Sequence, residues 1–174
     1  MRSLIAVTIL LLIAGFCPAQ QPAAGGKSAS SALQSPSPKL MQEILDAWST
    51  MNPANAAPYY DQRPTDVFFD ILPMKYSGFA EYERGAAEVL AAFRSVNFAL
   101  GKDTRIHAHG TLVWATATWS LTGTLKNGNK TAMDGRWTVL WEKRANRWLI
   151  VHEHFSVPAP PPPSGDMNTG KPGK

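Results

Sequence analysis

The sequence predicts an α+β fold, with helices gathered on one face of a single antiparallel sheet. Helical periodicity is confined to the first half of the folded body, and strand-like runs separated by short turns fill the second half. Five of the six tryptophans fall in those runs, at positions 114, 119, 137, 141 and 148. Helices followed by consecutive strands are typical of the α+β class.

Two amphipathic helices are predicted. The first begins with Ser37 as N-cap and Pro38 in the first turn, a pairing that favours helix initiation. The second runs from Phe79 to Phe93. The apolar residues that recur on one face of each helix predict where it packs. They are Leu40, Met41, Ile44, Leu45, Trp48 and Met51 in the first, and Phe79, Tyr82, Ala86, Val89, Leu90 and Phe93 in the second.

The segment between the helices predicts a short helix or turn from Asn52-Pro53 to Tyr60, a strand at Val67–Asp70 and a loop at Ile71–Gly78. A meander follows. Its four strands are predicted at about Phe98–His109, Thr111–Thr124, Thr131–Arg144 and Arg147–Val157, with turns at His109-Gly110, Asn127-Gly128 and Ala145-Asn146.

Alternation sorts the last two strands into faces. Trp137, Val139 and Trp141 fall on one face of their strand. The final strand divides into Trp148, Ile150, His152 and His154 against Leu149, Val151, Glu153 and Phe155. Both faces carry large apolar groups, which predicts a sheet covered by helices on one side and lining a cavity on the other.

The first 19 residues, Met1–Ala19, have the pattern of a secretory signal peptide. Arg2 precedes an apolar run from Leu4 to Ile13, which is too short to span a bilayer. Cleavage after Ala19 would remove Cys17, the only cysteine, and leave an exported protein, periplasmic or secreted, without disulfides. Lipid attachment at Cys17 is the alternative, although Phe16 stands where a small residue normally precedes a lipidated cysteine.

The predicted domain spans residues 37–158. A flexible linker precedes it at residues 20–36, and a Pro-rich tail follows at residues 159–174. The tail is interpreted as a spacer, with docking of its proline run into an aromatic groove as the alternative.

The charge excludes one class of partner. Four basic residues, Arg2, Lys27, Lys171 and Lys174, and one acidic residue, Asp166, lie outside the predicted domain. The domain itself therefore carries 13 basic and 12 acidic residues. A net charge near +1 with no basic stripe argues against nucleic acid.

No cofactor is predicted, because the chain has no P-loop, dinucleotide fingerprint or G-x-S-x-G elbow. Once the signal peptide is removed, no membrane association is expected either.

The motifs Gly135-Arg136-x-Thr138, Trp148-Leu149-Ile150-Val151 and His152-x-His154-x-Ser156-x-Pro158, with the order of elements, resemble the SnoaL-like and ketosteroid-isomerase-like superfamily. Nuclear transport factor and the calmodulin-dependent kinase association domain belong to that superfamily. The resemblance covers about Pro38–Pro158 and implies a cone-shaped, curved sheet packed on N-terminal helices. It also implies a homodimer, since dimers are common in the superfamily. It does not fix a reaction.

Asp70 is the candidate catalytic base. In the ketosteroid isomerases that the chain resembles, an aspartate in a comparable segment is the general base. Phe68 and nearby tryptophans are expected to desolvate the Asp70 carboxylate and raise its pKa. The alternative is a polar or capping role at the loop. The resemblance also implies a tyrosine and a protonated acid as an oxyanion hole, for which the sequence offers no clear match.

The four histidines form two pairs, His107/His109 and His152/His154, each with side chains on one strand face. Two intervening strands place the pairs about 14 Å apart. No metal site is therefore predicted.

The main functional hypothesis is a domain that binds a small apolar or aromatic molecule in the mouth of the cone. The predicted wall is Tyr60, Phe68, Trp114, Trp137 and His154, with Asp70 and Arg136 as polar anchors. Arg136 is expected to pair with Glu142, Asp134 or Asp70, or alternatively with a ligand carboxylate. The other hypotheses are a cofactor-free isomerase, cyclase or dehydratase using Asp70, and a dimerising assembly module.

Overall fold

The computed structural model describes residues 34–160. The predicted signal peptide, most of the predicted linker and most of the Pro-rich tail lie outside these residues. The described chain contains two α-helices, two short 3₁₀ helices and seven strands. In chain order they are α1 (Pro38–Ser49), the 3₁₀ helices Pro53–Asn55 and Ala57–Tyr59, β1 (Val67–Phe69), β2 (Lys75–Ser77), α2 (Phe79–Leu90), β3 (Phe93–Leu100), β4 (Arg105–His109), β5 (Leu112–Leu125), β6 (Lys130–Arg144) and β7 (Arg147–Ser156).

All seven strands form one curved, unclosed sheet in the order β2-β1-β7-β6-β5-β3, and β4 also pairs with β5. β5, β6 and β7 are the antiparallel meander predicted from the turns, whereas β1 adds parallel to β7. The α+β class with a cone-like sheet and N-terminal helices is confirmed. No helix within residues 34–160 is both long and apolar enough to cross a membrane.

The start of α1 follows the sequence signal closely. The backbone N–H of Leu40 donates to the Ser37 hydroxyl oxygen at 3.2 Å, and Pro38 occupies the first turn, where its missing N–H costs nothing. The Gln42 side chain then joins α1 to β3. Its amide nitrogen donates to the Phe98 carbonyl at 3.2 Å, and its oxygen accepts from the Leu100 N–H at 2.8 Å.

Two glycines fix how α2 meets the sheet. Gly78 caps the helix with a φ of +75°, and a Cβ there would lie 2.9 Å from the Pro64 Cα. Gly85 lies within α2 against the Tyr76 ring, where a Cβ would approach Tyr76 Cε1 to 2.2 Å. The absence of a side chain at Gly85 therefore makes room for Tyr76 of β2.

Three element predictions need correction. The second helix ends at Leu90, because Phe93 already pairs with Leu125 in the sheet. The predicted strand Phe98–His109 is two strands joined by a turn, since Asp103 Oδ1 accepts from the Thr118 N–H and hydroxyl and holds the chain there. The predicted loop after Asp70 contains β2, which pairs with β1.

The sheet has an inner face, which packs on the helices, and an outer face. The inner face carries Val113, Ala115, Ala117, Trp119 and Leu121 of β5, Trp137, Val139 and Trp141 of β6, and Ile150, Glu153 and Phe155 of β7, all buried. The outer face carries Trp114, Thr116, Thr118 and Ser120 of β5, Arg136, Thr138 and Leu140 of β6, and His152 and His154 of β7.

A bulge in β7 overturns the predicted faces of that strand. Leu140 of β6 pairs with His152, but the next residue, Trp141, pairs with Ile150, so Val151 is an extra residue. Ile150 therefore shares the inner face with Glu153, whereas His152 lies on the outer face. Strict alternation placed Ile150 and His152 on the same face, because it takes no account of an inserted residue.

Candidate functional site

A buried carboxylate lies at the centre of the inner face. Glu153 is 0% exposed and its two oxygens accept different donors. The Tyr60 hydroxyl donates to Oε1 at 2.9 Å, and the indole N–H of Trp137 donates to Oε2 at 3.0 Å. The indole N–H of Trp48 in turn donates to the Tyr60 hydroxyl oxygen at 3.0 Å. One chain of hydrogen bonds thus joins α1, the segment after the 3₁₀ helices, β6 and β7.

Burial controls the ionisation of this network. It raises the pKa of Glu153 to about 7, although the donors from Tyr60 and Trp137 favour the ionised form and act in the opposite direction. Burial and the neighbouring Glu153 carboxylate also raise the pKa of Tyr60 well above its usual value. Glu153 therefore changes its charge near neutral pH, in a place that water does not reach.

Aromatic rings occupy the space between the network and the helices. Tyr60 packs against Phe68, Phe79 and Tyr82 with ring centroids 5.6, 4.7 and 6.0 Å apart. Phe68 and Tyr76 both stack on Tyr82, at 5.4 and 4.9 Å. These side chains pack on one another. The space between the sheet and the helices is therefore filled by aromatic side chains, and the ligand cavity predicted in the cone is not found at this place.

Asp70 lies at the edge of this core, directly after β1. It is half-buried, and its Oδ1 accepts from the Ile71 N–H at 2.7 Å. Burial raises its pKa to about 6, which the Ile71 hydrogen bond partly opposes. Within residues 34–160 the Asp70 carboxylate forms no ion pair. The predicted desolvation of this carboxyl group is therefore present in the structure.

The loop after Asp70 presents apolar side chains to solvent. Leu72 is 66% and Met74 is 80% exposed, the largest fractions among the exposed large apolar side chains. The loop is held at both ends, because the Asp70 N–H donates to the Met74 carbonyl at 3.3 Å and the Tyr76 hydroxyl donates to the Leu72 carbonyl at 3.2 Å. Residues 70–76 are called the Asp70 mouth below.

The structure does not bring the predicted wall residues together. Tyr60, Phe68 and Trp137 belong to the buried inner side. Trp114 and His154 lie on the outer face, where Trp114 is 40% exposed and pairs across the strands with Leu140. The prediction that these residues form one wall is therefore wrong, because the β5–β6 register places Trp114 and Trp137 on opposite faces.

Arg136 is also on the outer face and is exposed. Its guanidinium makes no hydrogen bond or ion pair with another residue of the described chain, so the expected pairing with Glu142, Asp134 or Asp70 is not found. Glu142 pairs with Arg144 instead.

Two surface cavities, each of about 550 Å³, lie along the sheet rather than in the aromatic core. The first is called the outer groove below. Its lining residues are Ala99, Leu100, Gly101, Thr118, Trp119, Ser120, Asp134, Gly135, Arg136 and Pro158. The second is lined by residues 95–97 of β3, 122–124 of β5 and 130–132 of β6.

The histidine pairs lie on β4 and β7, with β5 and β6 between them. The His107 ring stacks on Trp114 with centroids 4.1 Å apart, and the rings of His152 and His154 both meet Phe69 edge-on. His152 Nδ1 is 2.7 Å from the Val67 carbonyl oxygen, so this nitrogen carries the proton. Residues 34–160 contain no group of three or more His, Cys, Asp or Glu side chains arranged to hold a metal ion.

Sequence reasoning missed Glu153 as a site residue. It noted only that the Glu153 side chain points away from its histidine neighbours. The sequence signal was a carboxylate that alternates with Phe155 on one strand, and the structure sets these two residues across from Val139 and Trp137 on the inner face of β6. A carboxylate in such an aromatic row requires hydrogen-bond donors, and buried tyrosine and tryptophan side chains supply them.

Comparison with known proteins agrees with this architecture. The family model described as a SnoaL-like domain matches residues 39–160. The chain belongs to the SnoaL-like domain family. No curated protein matches the chain.

Solved structures share the fold at low sequence identity. A nuclear transport factor 2-like superfamily protein from Salmonella enterica serovar Typhimurium LT2 is 20% identical, with a TM-score of 0.63 over 77% of this chain and 96% of that one. A proposed calcium/calmodulin-dependent protein kinase II association domain from Xanthomonas campestris is 22% identical, with a TM-score of 0.59 over 68% and 83%. A proposed dehydratase from Streptomyces avermitilis is 14% identical, with a TM-score of 0.60 over 76% and 93%. These likenesses concern the fold alone.

Proposed function

We propose that this SnoaL-like domain binds a small, largely apolar molecule at the Asp70 mouth, with the Asp70 carboxylate as its polar contact. The observation that carries the proposal is the half-buried Asp70, whose carboxylate has no ion-pair partner in the described chain and accepts one hydrogen bond from the next residue. A desolvated carboxylate is unfavourable without a donor. A ligand hydroxyl or N–H would supply one.

The surroundings of Asp70 suit such a ligand. The exposed side chains of Leu72 and Met74 offer apolar surface, and methionine adapts its shape readily to a partner. Behind them lies the filled aromatic core, so the ligand contacts the mouth of the cone rather than its depth. The ligand site predicted from the sequence is thereby restricted to Asp70 and the loop that follows it. Tyr60 and Phe68 then support the site from behind.

The experiment is a ligand screen on the purified protein, which follows melting temperature and tryptophan fluorescence with steroid-like, polyketide-like and aromatic alcohol libraries. A ligand at 100 times its Kd should stabilise the fold by about 2.7 kcal/mol. Asp70→Asn should remove most of this gain, because the amide accepts hydrogen bonds more weakly than a carboxylate.

Asp134→Asn is the matched control, since Asp134 is an exposed carboxylate on the outer face. It should leave ligand binding unchanged. Ligands that bind Asp70→Asn as tightly as the wild type, or no ligand in any library, would contradict the proposal.

Acid–base catalysis at the same carboxyl group is the second candidate function. The observation that favours it is the Asp70 pKa of about 6, close enough to neutral pH for a general base. Proton exchange into deuterated water at the α-carbon of a carbonyl ligand from the screen would reveal such a base. Exchange that persists in Asp70→Asn would exclude Asp70 as the general base. Ligand binding without exchange would indicate that the domain binds the ligand but does not catalyse proton transfer.

Self-association through the outer face is the third candidate, favoured by the exposed side chains of Leu112 and Trp114 on that face. Relatives named as association domains share the fold. A homodimer predicts a mass of twice the monomer by light scattering at micromolar concentration, and Trp114→Lys should halve it. A monomeric mass for the unmodified protein would contradict this candidate.

Export by a cleaved signal peptide at Met1–Ala19 remains part of the proposal and rests on the sequence pattern alone. Expression of the full chain with its own start should yield a mature protein that begins at Gln20 outside the cytoplasm. An intact N-terminus in the cytoplasmic fraction would contradict it.

A further inference from the structure

Three aspartates, Asp61, Asp66 and Asp70, lie between the 3₁₀ helices and α2, and the first two have arginine partners. Asp61 Oδ2 lies 2.6 Å from Arg63 Nε and 3.3 Å from Arg144 Nε. Asp66 Oδ1 lies 3.0 Å from Arg63 Nη2. Both carboxylates are buried. The arginines therefore supply the positive charge that a carboxylate requires when it leaves water.

Asp70 differs from the other two because it has no cation beside it. Its carboxylate is half-buried, yet within residues 34–160 it forms no ion pair with a lysine, arginine or histidine. Burial raises the pKa of Asp70 to about 6 and the Ile71 N–H partly opposes this, but no positive charge in the same range lowers it. At neutral pH the carboxyl group is therefore mostly ionised, and its charge is not compensated.

The basic side chains of the neighbouring elements leave Asp70 uncompensated. Lys75 of β2 is the basic residue nearest to Asp70 along the chain, but it is exposed and forms no ion pair with any described residue. Arg84 of α2 is also exposed, and its guanidinium donates to the Ala80 carbonyl at 3.1 Å. Each of these cations thus remains in solvent rather than beside the Asp70 carboxylate.

Other carboxylates act on the same place. Burial first, and then the negative charges of Asp70, Glu88 and Glu81, raise the pKa of the mouth residue Tyr76 to about 12. Glu81 and Glu88 are exposed residues of α2, so solvent screens their charge and they serve only to favour the approach of a cation. The contact itself is left to the half-buried Asp70.

We propose that the molecule bound at the Asp70 mouth is an organic cation, an apolar body that carries a protonated amine. Its ammonium group donates to the Asp70 carboxylate and has the role that Arg63 and Arg144 have beside Asp61. Its apolar body lies on the exposed side chains of Leu72 and Met74. The inference rests on the proposed function, since it names the chemical class of the ligand at that same site.

A metal ion fits this place less well than an amine. A divalent metal ion takes several oxygen ligands, whereas one carboxylate is enough for a charge-assisted hydrogen bond with an ammonium group. In the part of the chain that the structure describes, no three His, Cys, Asp or Glu side chains are grouped to hold a metal ion. The apolar side chains of Leu72 and Met74 also suit the carbon skeleton of an organic ligand.

The test uses three probes with the same apolar body, phenylbutylamine, phenylbutanol and phenylbutyrate, which end in a cation, a neutral hydroxyl group and an anion. Each is titrated into the isotope-labelled protein at neutral pH, and the amide signals of residues 70–77 are followed. The amine is then protonated, because an alkylamine has a pKa close to the value of about 10.4 of lysine. It should bind at least about tenfold more tightly than the alcohol, and the butyrate should bind most weakly.

Variants of one residue show whether Asp70 is the origin of this preference. In Asp70→Asn the amine and the alcohol should bind equally weakly, and Asp70→Glu, which restores a carboxylate, should regain part of the preference. Asp134→Asn removes the same charge from the outer face and should keep the full preference. The ratio of the two affinities is measured within each variant, so a small loss of stability does not affect it.

Three outcomes would overturn the inference. An alcohol that binds the unmodified protein as tightly as the amine would show that the ligand need not be a cation, and would leave the proposed binding at the mouth in place. An amine preference that persists in Asp70→Asn would place the cation on another carboxylate. If none of the three probes shifts the amides of residues 70–77 at millimolar concentration, both the inference and the proposed function are contradicted.

Discussion

The two faces of the sheet use the same residue types in opposite ways. On the inner face, tryptophans are buried and their indole N–H groups can bind internal acceptors, as Trp137 does with Glu153. On the outer face, Trp114 is 40% exposed and stacks on a histidine. The inner face therefore supplies buried contacts that stabilise the fold, whereas Trp114 on the outer face keeps part of its surface in solvent. Asp70 lies at the edge of the inner side, where the aromatic core reaches solvent.

The largest expected difference between the faces comes from one substitution made on both. Trp137→Phe removes the donor to Glu153 Oε2 and leaves a small void, so the free energy of unfolding should fall by about 3 kcal/mol. Trp114→Phe should change it by less than about 0.5 kcal/mol, because the side chain is partly solvated and bonds to nothing buried. Denaturant titration measures both values. Equal losses would show that the faces do not differ as described.

The second prediction concerns pH. Glu153 has a folded-state pKa of about 7, above its usual 4.5, so the folded state holds the proton more tightly than the unfolded state. The free energy of unfolding should therefore fall as pH rises from about 5 to 8, by on the order of 2 kcal/mol. Glu153→Gln keeps the shape and cannot ionise, so its stability should vary less over this range.

Asp70 contributes to the same trend, because its pKa is also raised. The double variant Asp70→Asn, Glu153→Gln should have the flattest profile between pH 5 and 8. A wild-type protein that grows more stable from pH 5 to pH 8 would contradict the ionisation assigned to these two groups.

The smallest of the three predicted effects concerns the contact between Gly85 and Tyr76, which lies next to the Asp70 mouth. Gly85→Ala places a methyl group against the Tyr76 ring, and Tyr76 holds the Leu72 carbonyl. Glycine to alanine in a helix usually stabilises by about 0.5–1 kcal/mol, but here overpacking should reverse the sign and cost about 1 kcal/mol. Ala87→Gly, at an exposed position of α2, gives the ordinary helix propensity for comparison.

A stabilising Gly85→Ala would show that Tyr76 moves aside freely. In that case, Tyr76 could not fix the loop that carries Leu72 and Met74.

Local signals predicted the elements that they specify directly. Ser37 and Pro38 begin α1, and Asn127-Gly128 and Ala145-Asn146 form the hairpin turns, because capping and positive φ are properties of a few adjacent residues. β2 was missed because Lys75 and Ser77 flank a single aromatic residue, Tyr76, whereas the equally short β1 is the apolar run Val67-Phe68-Phe69. Its pairing depends on β1 and on Gly78 beyond it.

The site residues were harder to predict because their positions depend on how neighbouring strands pair. A bulge at Val151 reverses the faces of β7, and the β5–β6 register decides that Trp114 and Trp137 lie apart. Neither follows from one strand alone. Asp70 was identified through the family resemblance and not through spacing, and Glu153 gained its importance from Tyr60, 93 residues away in the chain.

The central claim is that the Asp70 mouth, and not the outer groove, receives a small apolar ligand. The most direct measurement is an NMR titration of the protein with a ligand from the screen, which follows backbone amides together with the ¹³C signal of the Asp70 carboxyl carbon. Ligand binding should shift the amides of residues 70–77 and lower the pKa of Asp70 from its starting value of about 6, because a ligand donor favours the ionised form. Shifts confined to residues 99–101 and 118–120, with the Asp70 titration unchanged, would place the ligand in the outer groove and contradict the account.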